Sequence, residues 1–268
     1  MTETTTAFEL VDLSIADGVA TIALNRPDKR NAINMQLHLD LAAALKAVQR
    51  DRSVRALLIT GRGAGFCAGQ DLAEFMAAKA DPSFRADEHV RATFNKTVAA
   101  LRALPYPVIA AVNGMAAGAG WSLALAADIR IAADDAGFTQ AFSKIGLVPD
   151  TGSTWFLPEL IGTSRTLQLA FTGDVLDAQT ALDWGLVNEV VPAAELLEHA
   201  TRYATRLAAM PTSALGMTKR AVYRATTTTL DEALEYEAQL QQRAVNTHDH
   251  VEGVMAFLEK RQPAFTGA

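Results

Sequence analysis

The sequence predicts an α/β fold with a helical C-terminal region. Short apolar runs alternate with helical segments over the first 190 residues, which is the pattern of repeated strand-and-helix units. Glycine-rich turns follow two of these runs, and from Glu195 onward the pattern is helical throughout. We therefore predict a core over residues 1–200 and a helical C-terminal region over residues 201–268.

The composition excludes several classes of protein. The chain has 268 residues, half of them hydrophobic, and a formal net charge of −6, which argues against a general nucleic-acid-binding surface. Its single cysteine, Cys67, cannot form an internal disulfide bond and is typical of a reducing compartment. The first ten residues lack the basic and apolar segments of a secretion signal. We expect a cytoplasmic protein that binds neither nucleic acid nor membranes.

The first elements follow from alternation and helical spacing. Residues 8–15 and 19–24 alternate as two strands, and the hairpin signal Ala16-Asp17-Gly18 joins them. Leucines at helical spacing predict an amphipathic helix over Met35 to Arg50. Residues 54–60 are predicted to form a buried strand that ends in a glycine-rich turn.

The stretch from Pro107 to Asp128 is the centre of the predicted fold. An exposed loop at residues 79–86 and a long helix over residues 87–104 lead into it. A buried strand over residues 107–112 then ends at an Asn-Gly turn signal, and a helix follows over residues 121–127.

Three other interpretations of this stretch compete. Residues 103–127 carry no charge and are long enough to span a membrane, but their prolines and glycines make a poor membrane helix. A dinucleotide-binding fingerprint requires a third glycine where Leu123 stands. The run from Gly120 to Ala124 nearly matches a nucleophile elbow around Ser122, so a serine hydrolase stays open as an alternative.

The second half of the chain continues the pattern. Short strands are predicted at residues 128–132 and 186–191, with a less regular apolar segment over residues 138–149. Asp177 is predicted to cap a helix over residues 178–184. Three further helix starts are predicted, at Pro211-Thr212, at Thr229 and at Thr247 to Asp249.

Two glycine-bearing turns follow two buried strands, one around Ala68-Gly69 and the other around Gly118-Ala119-Gly120. If the two strands are neighbours, the turns meet at one end of a sheet, and two backbone N–H groups converge on one oxygen atom. Such an oxyanion hole suits a carbonyl group that becomes an enolate.

Six stretches of sequence carry a resemblance to a known family over nearly the full chain. They are NRPDKRNAIN (25–34), GFCAGQDL (65–72), PVIAAVNGMAAGAG (107–120), ADIRIA (127–132), TGDVLDAQTALDWGLVNEVV (172–191) and EGVMAFLEKRQPAF (252–265). In these stretches the chain resembles the crotonase (enoyl-CoA hydratase/isomerase) superfamily. The resemblance implies a ββα-spiral core with a C-terminal helical region that mediates trimerisation, giving a homotrimer or a dimer of trimers. It also implies an acyl-CoA substrate and no separate cofactor, because CoA is part of the substrate.

The same resemblance implies the residues of the site. The N–H groups of Ala68 and Ala119 would hold the thioester oxygen, and Asp150 would move a proton on the acyl part. The residues expected to bind substrate or CoA are Arg26, Lys29, Ala68, Gly69, Gln70, Asp71, Leu72, Gly118, Gly120, Phe142, Phe257 and Lys260, the last two from a neighbouring helix.

Two departures from the family pattern decide the predicted reaction. Hydratases of this family carry two glutamates that activate a water molecule, at the positions of Ser122 and Phe142 here. Both glutamates are absent, so hydration loses its acid–base groups and Asp150 remains. The run over residues 141–160 looks like that of the ring 1,2-epoxyphenylacetyl-CoA isomerases of phenylacetate breakdown. This implies isomerisation of ring-epoxidised phenylacetyl-CoA, with a double-bond shift in an enoyl-CoA as second substrate class.

Several alternatives stay open at this point. Asp150 could be a helix cap, and the protein could be a hydratase with atypical groups or a non-catalytic acyl-CoA binder. Ser153 stands where the family has glycine, and bulky Trp121 follows Gly120, so the shape of the pocket is open as well. Cys67 is expected to pack rather than react. No metal site is expected, because the histidines at 248 and 250 have no partner cluster.

Overall fold

The computed structural model describes residues 4–268, with side chains from residue 8 onward. Eleven strands alternate with helices along these residues. The strands are β1 (Thr4–Ala7), β2 (Val11–Ala16), β3 (Val19–Leu24), β4 (Ala56–Gly61), β5 (Gly65–Cys67), β6 (Val108–Val112), β7 (Met115–Ala117), β8 (Ile129–Ala133), β9 (Gly137–Thr139), β10 (Leu176–Asp177) and β11 (Glu189–Val191).

The helices fall into a group interleaved with the strands and a C-terminal group. They are α1 (Met35–Arg50), α2 (Leu72–Lys79), α3 (Ala86–Ala92), α4 (Phe94–Ala103), α5 (Ala119–Leu125), α6 (Ser153–Thr172), α7 (Ala178–Asp183), α8 (Leu196–Ala208), α9 (Thr212–Ala225), α10 (Leu230–Ala244) and α11 (His248–Glu259). Short 3-10 turns lie at Pro27–Lys29, Ala141–Ile145 and Ala193–Glu195.

The strands form two sheets that the chain visits alternately. The larger sheet has the order β1-β2-β3-β4-β6-β8-β11, and the smaller has the order β10-β9-β7-β5. The chain therefore passes from β4 to β5, from β6 to β7 and from β8 to β9, and helices follow each pair. Three successive units of strand, strand and helix make up a ββα spiral. The predicted α/β class with this core and a helical C-terminal region is confirmed.

The core lies between the larger sheet and the helices that pack on it. Every residue of β4 and of β6 is buried, which is typical of parallel strands covered on both faces. β4 pairs in parallel with β3 and β6 on either side. Helix α8 packs against β4 and β6 through a stripe of small residues, of which Ala200 and Ala204 are fully buried.

Several predicted elements have the bounds that the pattern indicated. The hairpin joins β2 and β3 at Asp17, which has a positive φ of 51°. Helix α1 covers the predicted residues, and the side chain of Asn34 caps its first turn. The starts of α10 and α11 are capped by the side chains of Thr229 and Thr247, two of the positions predicted as helix starts.

Three elements differ from the prediction. The long helix over residues 87–104 is two helices, because Thr93 has a non-helical backbone (φ −117°, ψ −88°) between α3 and α4. Helix α5 begins at Ala119, two residues earlier than expected. The irregular segment over residues 138–149 contains most of β9 and a 3-10 turn. Within residues 4–268, no helix is both long and apolar enough to cross a membrane.

Candidate active site

The two glycine turns lie side by side at one end of the smaller sheet. Strands β5 and β7, which precede them, are parallel neighbours. Gly69 has a positive φ of 87°, and a Cβ at this position would lie 2.8 Å from the carbonyl oxygen of Ala117 and 3.3 Å from the nitrogen of Ala119. Only glycine allows this approach of the first turn to the start of α5, because a Cβ would collide with main-chain atoms.

The assignment of Ala68 as an oxyanion donor is wrong. Its N–H group donates a 2.9 Å hydrogen bond to the carbonyl oxygen of Arg30 and is therefore occupied. The available donor is Gln70, two residues later. The carbonyl oxygen of Gly69 accepts from the N–H of Ile33 at 2.7 Å. Because a trans peptide places its C=O and N–H on opposite sides, the N–H of Gln70 points away from Ile33, and it has no acceptor among the described residues.

The second free N–H group is that of Ala119, and its role as an oxyanion donor stays a prediction. The N–H of Gly118 donates to the carbonyl oxygen of Thr139 at 2.9 Å, and the carbonyl oxygen of Gly118 accepts from the N–H of Ser122 in the first turn of α5. The N–H group of Ala119 follows these two bonded groups of Gly118 in the chain. It has no acceptor in residues 4–268. Two unpaired main-chain donors, of Gln70 and Ala119, thus belong to turns that touch at Gly69.

A cavity of about 530 Å³ opens at these two turns. Eight of the residues predicted from the sequence line it: Ala68, Gly69, Gln70, Leu72, Gly118, Ala119, Phe142 and Asp150. The opposite wall comes from α2, α3 and the start of α4, and it includes Phe75, His89 and Phe94. The cavity therefore joins a wall of main-chain donors to a wall of aromatic side chains.

Arg26 and Asp71 are not part of this wall. Nη1 of Arg26 lies 2.6 Å from Oδ2 of Asp71 and also donates to a main-chain carbonyl, while the Asp71 carboxylate caps α2 by accepting from Ala73 N–H and Glu74 N–H. The hydrogen bond from Arg26 lowers the pKa of the Asp71 carboxyl below its usual value. The pair holds the turn beside Gly69 in place, so both residues have a structural role here.

Four other predicted binding residues also lie away from the cavity wall: Lys29, Gly120, Phe257 and Lys260. Gly120 faces the interior, and a Cβ there would lie 2.2 Å from the carbonyl oxygen of Cys67. The side chain of Phe257 is 82% exposed. Lys260 adopts a left-handed conformation that ends α11. Contact of the last two residues with a CoA held by a neighbouring subunit stays a prediction.

Asp150 reaches the cavity from the loop before α6. Its carboxylate accepts a 2.7 Å hydrogen bond from Oγ1 of Thr151, and its main-chain oxygen accepts from the N–H and the hydroxyl of Ser153, each at 3.0 Å. The cap position of α6 is Gly152, and no side chain caps this helix. The alternative of Asp150 as a helix cap is therefore wrong.

Burial raises the pKa of the Asp150 carboxyl above its usual value, although the hydrogen bond from Thr151 and the nearby His89 partly oppose this effect. A half-buried carboxyl on the wall of a cavity is the arrangement expected of a group that exchanges protons with a ligand.

Ser122 is not placed as a nucleophile. It is fully buried, and its hydroxyl lies within hydrogen-bonding distance of two main-chain oxygens, 3.1 Å from Gly118 and 3.3 Å from Asp150. No histidine in the part of the chain that the structure describes bonds to it. The serine hydrolase alternative is therefore wrong, and Ser122 together with Ser153 holds the main chain of Asp150.

Trp121 and Ser153, the two residues that left the pocket shape open, do not line the cavity. The Trp121 side chain is fully buried and packs on Phe138 with ring centroids 5.6 Å apart, so it fills the core and not the cavity. The ring of Phe142 instead covers the second turn, since a Cβ on Gly118 would lie 3.6 Å from its Cζ. An apolar ring thus stands beside the donors, where the hydratases of the family have a glutamate.

His89 is the functional candidate that the sequence analysis missed. Its Nε2 lies 3.0 Å from Oε1 of Gln70, and burial lowers the pKa of its imidazole. No local motif marks this residue, because 18 residues separate it from Gln70 and its place in the helix predicted over residues 87–104 does not indicate what it contacts. Cys67 behaves as expected, since it is buried and burial raises the pKa of its thiol to about 12. The described residues contain no cluster suited to a metal ion.

Known proteins of one family are similar to this chain along nearly its whole length. The family model for enoyl-CoA hydratase/isomerase matches residues 14–268. The 1,2-epoxyphenylacetyl-CoA isomerase of Escherichia coli K12 is 46% identical over 259 residues, which cover 97% of this chain and 99% of that one. The crotonyl-CoA hydratase of Syntrophomonas wolfei is 38% identical over 260 residues, which cover 97% and 98% of the two chains.

A solved structure agrees with these relatives. The crystal structure of an enoyl-CoA hydratase from Bacillus anthracis superposes with a TM-score of 0.90 at 33% identity, and the match covers 97% of this chain and 100% of the other. Fold, sequence and the position of the cavity at the two glycine turns lead to one conclusion. The chain belongs to the enoyl-CoA hydratase/isomerase family, which is the crotonase superfamily.

Proposed function

We propose that this protein is an isomerase of acyl-CoA thioesters. The N–H groups of Gln70 and Ala119 bind the thioester oxygen, and Asp150 carries a proton between two carbons of the acyl group. The favoured substrate is ring 1,2-epoxyphenylacetyl-CoA, which would be converted to an oxepin-CoA. A double-bond shift in an enoyl-CoA is the second candidate, because it uses the same groups.

One observation carries this proposal: a single half-buried carboxyl, that of Asp150, faces the cavity beside the two main-chain donors. Asp87 also lines the cavity, but its carboxylate lies 2.7 Å from Nη1 of Arg91 on the exposed side of α3. Ser122 and Phe142 stand at the two positions where the hydratases of the family have glutamates. Isomerisation needs one such group, whereas addition of water needs two.

The chemistry follows from these positions. Asp150 accepts a proton from a carbon of the acyl group, and the electron pair of that C–H bond moves through the conjugated system onto the thioester oxygen. The two N–H donors stabilise the enolate that forms, which is the usual contribution of an oxyanion hole. The protonated Asp150 then returns the proton to a different carbon, and the enolate collapses to a thioester of unchanged mass. In the ring epoxide, the C–C bond between the two epoxide carbons also breaks, and its electron pair joins the ring double bonds. The six-membered ring thereby expands to the oxepin with no atom gained or lost.

Aromatic side chains on both walls of the cavity support a ring as the acyl group. Phe75, Phe94 and Phe142 all line the cavity, and aromatic side chains pack favourably against a flat apolar ring. The similarity to the E. coli 1,2-epoxyphenylacetyl-CoA isomerase supports the same choice. The similarity to the S. wolfei crotonyl-CoA hydratase favours a linear enoyl-CoA instead, as a hydratase with atypical acid–base groups.

Assembly into trimers, or into dimers of trimers, is part of the proposal. The C-terminal helices expose large apolar side chains, among them Leu230, Leu234, Phe257 and Leu258. Exposed apolar surface of this kind is typical of an interface with another subunit. Burial in a neighbour would bring Phe257 and Lys260 close to the CoA of that subunit. A cytoplasmic location and the absence of a separate cofactor also stay predictions.

The test compares Asp150→Asn with the wild type on ring-epoxidised phenylacetyl-CoA, on a 3-enoyl-CoA and on crotonyl-CoA, with products identified by mass spectrometry. We expect the wild type to give a product of unchanged mass from one of the first two and to hydrate crotonyl-CoA very slowly. Asp150→Asn should retain affinity for a saturated acyl-CoA and lose roughly 10²–10⁴-fold in isomerisation, the usual contribution of an acid–base group.

The matched control is Asp134→Asn, because Asp134 lies in the turn after β8 and does not line the cavity. It should isomerise at the wild-type rate. Rapid hydration of crotonyl-CoA by the wild type would contradict the isomerase assignment, and near-normal isomerisation by Asp150→Asn would contradict the mechanism.

A further inference from the structure

We propose that His89 is a positioning residue of the oxyanion site, which acts on the reacting carbonyl through Gln70. The inference rests on the proposed function, because it assigns to Gln70 the main-chain donor for the thioester oxygen. It concerns a residue on the opposite wall of the cavity, whose imidazole contacts the side chain of Gln70.

The hydrogen bond between the two side chains has a defined direction. Nε2 of Gln70 donates to the carbonyl oxygen of Ile33 at 3.2 Å, so Oε1 is the atom that faces His89. An amide oxygen can only accept, and Nε2 of His89 lies 3.0 Å from it. Nε2 of His89 therefore carries a hydrogen, and the imidazole donates to Gln70.

The histidine ring is itself held in place. Four rings surround it, with centroid distances of 5.9 Å to His38, 5.9 Å to Phe84, 6.2 Å to Phe75 and 6.3 Å to Phe94. The break at Thr93 fixes the end of the helix, since both the N–H and the hydroxyl of Thr93 donate to the carbonyl oxygen of His89. The packed aromatic cluster thus holds the His89 imidazole in position to donate to the side chain of Gln70.

The side chain of Gln70 anchors the residue that carries the main-chain donor. Its main-chain N–H is free at the cavity, while its side chain also borders the cavity and carries a carbonyl and an amino group. The hydrogen bonds to Ile33 and His89 keep that polar side chain against α3. Without His89, Oε1 would lose its partner beside the cavity, and the main chain of Gln70 would lose one of the side-chain hydrogen bonds that fix the direction of its N–H group.

The test measures polarisation of the bound carbonyl directly and does not depend on turnover. Phenylacetyl-CoA labelled with ¹³C at the thioester carbonyl is bound to each variant, and its carbonyl stretch is recorded by infrared difference spectroscopy. In the wild type the stretch should move to lower frequency than in free solution. His89→Phe keeps the ring packing but removes the donor, and it should lose at least half of this shift.

The other variants separate positioning from structural or proton-transfer roles. His89→Gln retains a donor that reaches Gln70 and should recover most of the shift. Gln70→Leu should resemble His89→Phe, and the double variant should lose little more, because both changes remove one interaction. We expect kcat of His89→Phe to fall about 3- to 10-fold with KM nearly unchanged, as for loss of one neutral hydrogen bond. Glu88→Gln, an exposed change in the same helix, is the control.

Each contrary outcome has a distinct meaning. A full carbonyl shift in folded His89→Phe would overturn the positioning role. A His89→Gln variant that keeps the shift but loses turnover would assign proton transfer to His89 instead, and this too would overturn it. If the carbonyl stretch of phenylacetyl-CoA bound to the wild type has the same frequency as in free solution, the oxyanion site is overturned, and the proposed function with it. If His89→Phe does not fold, Gln70→Leu and His89→Gln carry the same comparison.

Discussion

The two walls of the cavity are built in opposite ways. The wall that carries the free N–H groups of Gln70 and Ala119 consists of the turns after β5 and β7, two strands in which Phe66, Cys67 and Ala116 are fully buried. The opposite wall consists mainly of α2 and α3, and neither of these two helices contains a buried residue. One wall is therefore part of the core, and the other is a thin cover on it.

In the proposed reaction, this difference separates the groups that bind the thioester oxygen from the groups that select the acyl part. The donors of Gln70 and Ala119 are main-chain groups, so a change of side chain cannot remove them, although a change of backbone shape can. Phe75 and His89 contact the cavity through side chains on exposed helices, where substitution costs little stability. A family with this plan can keep one carbonyl site and change its acyl group.

The largest effect on catalysis is expected from a substitution in the wall formed by the turns after β5 and β7. Gly69→Ala places a Cβ 2.8 Å from the main-chain oxygen of Ala117, so the first turn must move away from α5. Displacement of one oxyanion donor should lower kcat by about 10²–10³-fold. The measurement is kcat on the isomerised substrate, with folding checked by circular dichroism.

Gly185→Ala is the matched control for this change. Gly185 also has a positive φ, of 78°, but a Cβ there meets nothing within 4 Å. It should cost roughly 1–2 kcal/mol of the free energy of unfolding through backbone strain alone and leave kcat unchanged. Equal activity of the two variants would mean that the close approach at Gly69 does not serve the site.

The wall formed by the turns after β5 and β7 was easier to predict from the sequence than the wall formed by α2 and α3, for physical reasons. Buried strands and glycine turns depend on local pattern, so the meeting of the turns around Gly69 and Gly118 was predictable. The choice between the N–H of Ala68 and that of Gln70 was not, because it depends on which amide is already bonded to Arg30, a partner distant in the sequence. His89 was missed for the same reason.

A second prediction contrasts two aspartates beside these walls. Burial raises the pKa of Asp150 in the folded state, so the folded state binds the proton more tightly than the unfolded state does. The free energy of unfolding should therefore fall as the pH rises from the ordinary carboxyl pKa through the raised one. Asp150→Asn should remove this loss and be at least as stable as the wild type at pH 7.

Asp71 should behave in the opposite way, because the hydrogen bond from Arg26 lowers its pKa. Its contribution to stability is present above the ordinary carboxyl pKa and is lost as the pH falls through the lowered one. Asp71→Asn should therefore be less stable than the wild type at pH 7, and the difference should shrink in acid. Urea unfolding at a series of pH values measures both variants, and a destabilised Asp150→Asn at pH 7 would contradict the burial argument.

A third prediction concerns the pH dependence of catalysis by the same carboxyl. Asp150 must be ionised to accept a proton, so kcat/KM should fall as the pH falls through its raised pKa. The acid limb should thus lie above the usual aspartate pKa of about 3.9. A profile that stays flat down to that value, in a protein still folded there, would argue against Asp150 as the base.

The smallest effect on catalysis is expected from a substitution in the wall formed by α2 and α3. Phe75 lines the cavity from α2 and packs edge-on against Phe84 with ring centroids 5.4 Å apart. Phe75→Leu should lower kcat/KM for a ring acyl-CoA by about 3- to 10-fold, since an aromatic pair contributes roughly 0.5–1.5 kcal/mol beyond its buried area. A linear enoyl-CoA should be affected less. Met76→Leu, an exposed change in the same helix, should alter neither substrate. An equal loss for ring and linear substrates would show that the cover does not select the acyl group, and the contrast between the two walls would then concern stability alone.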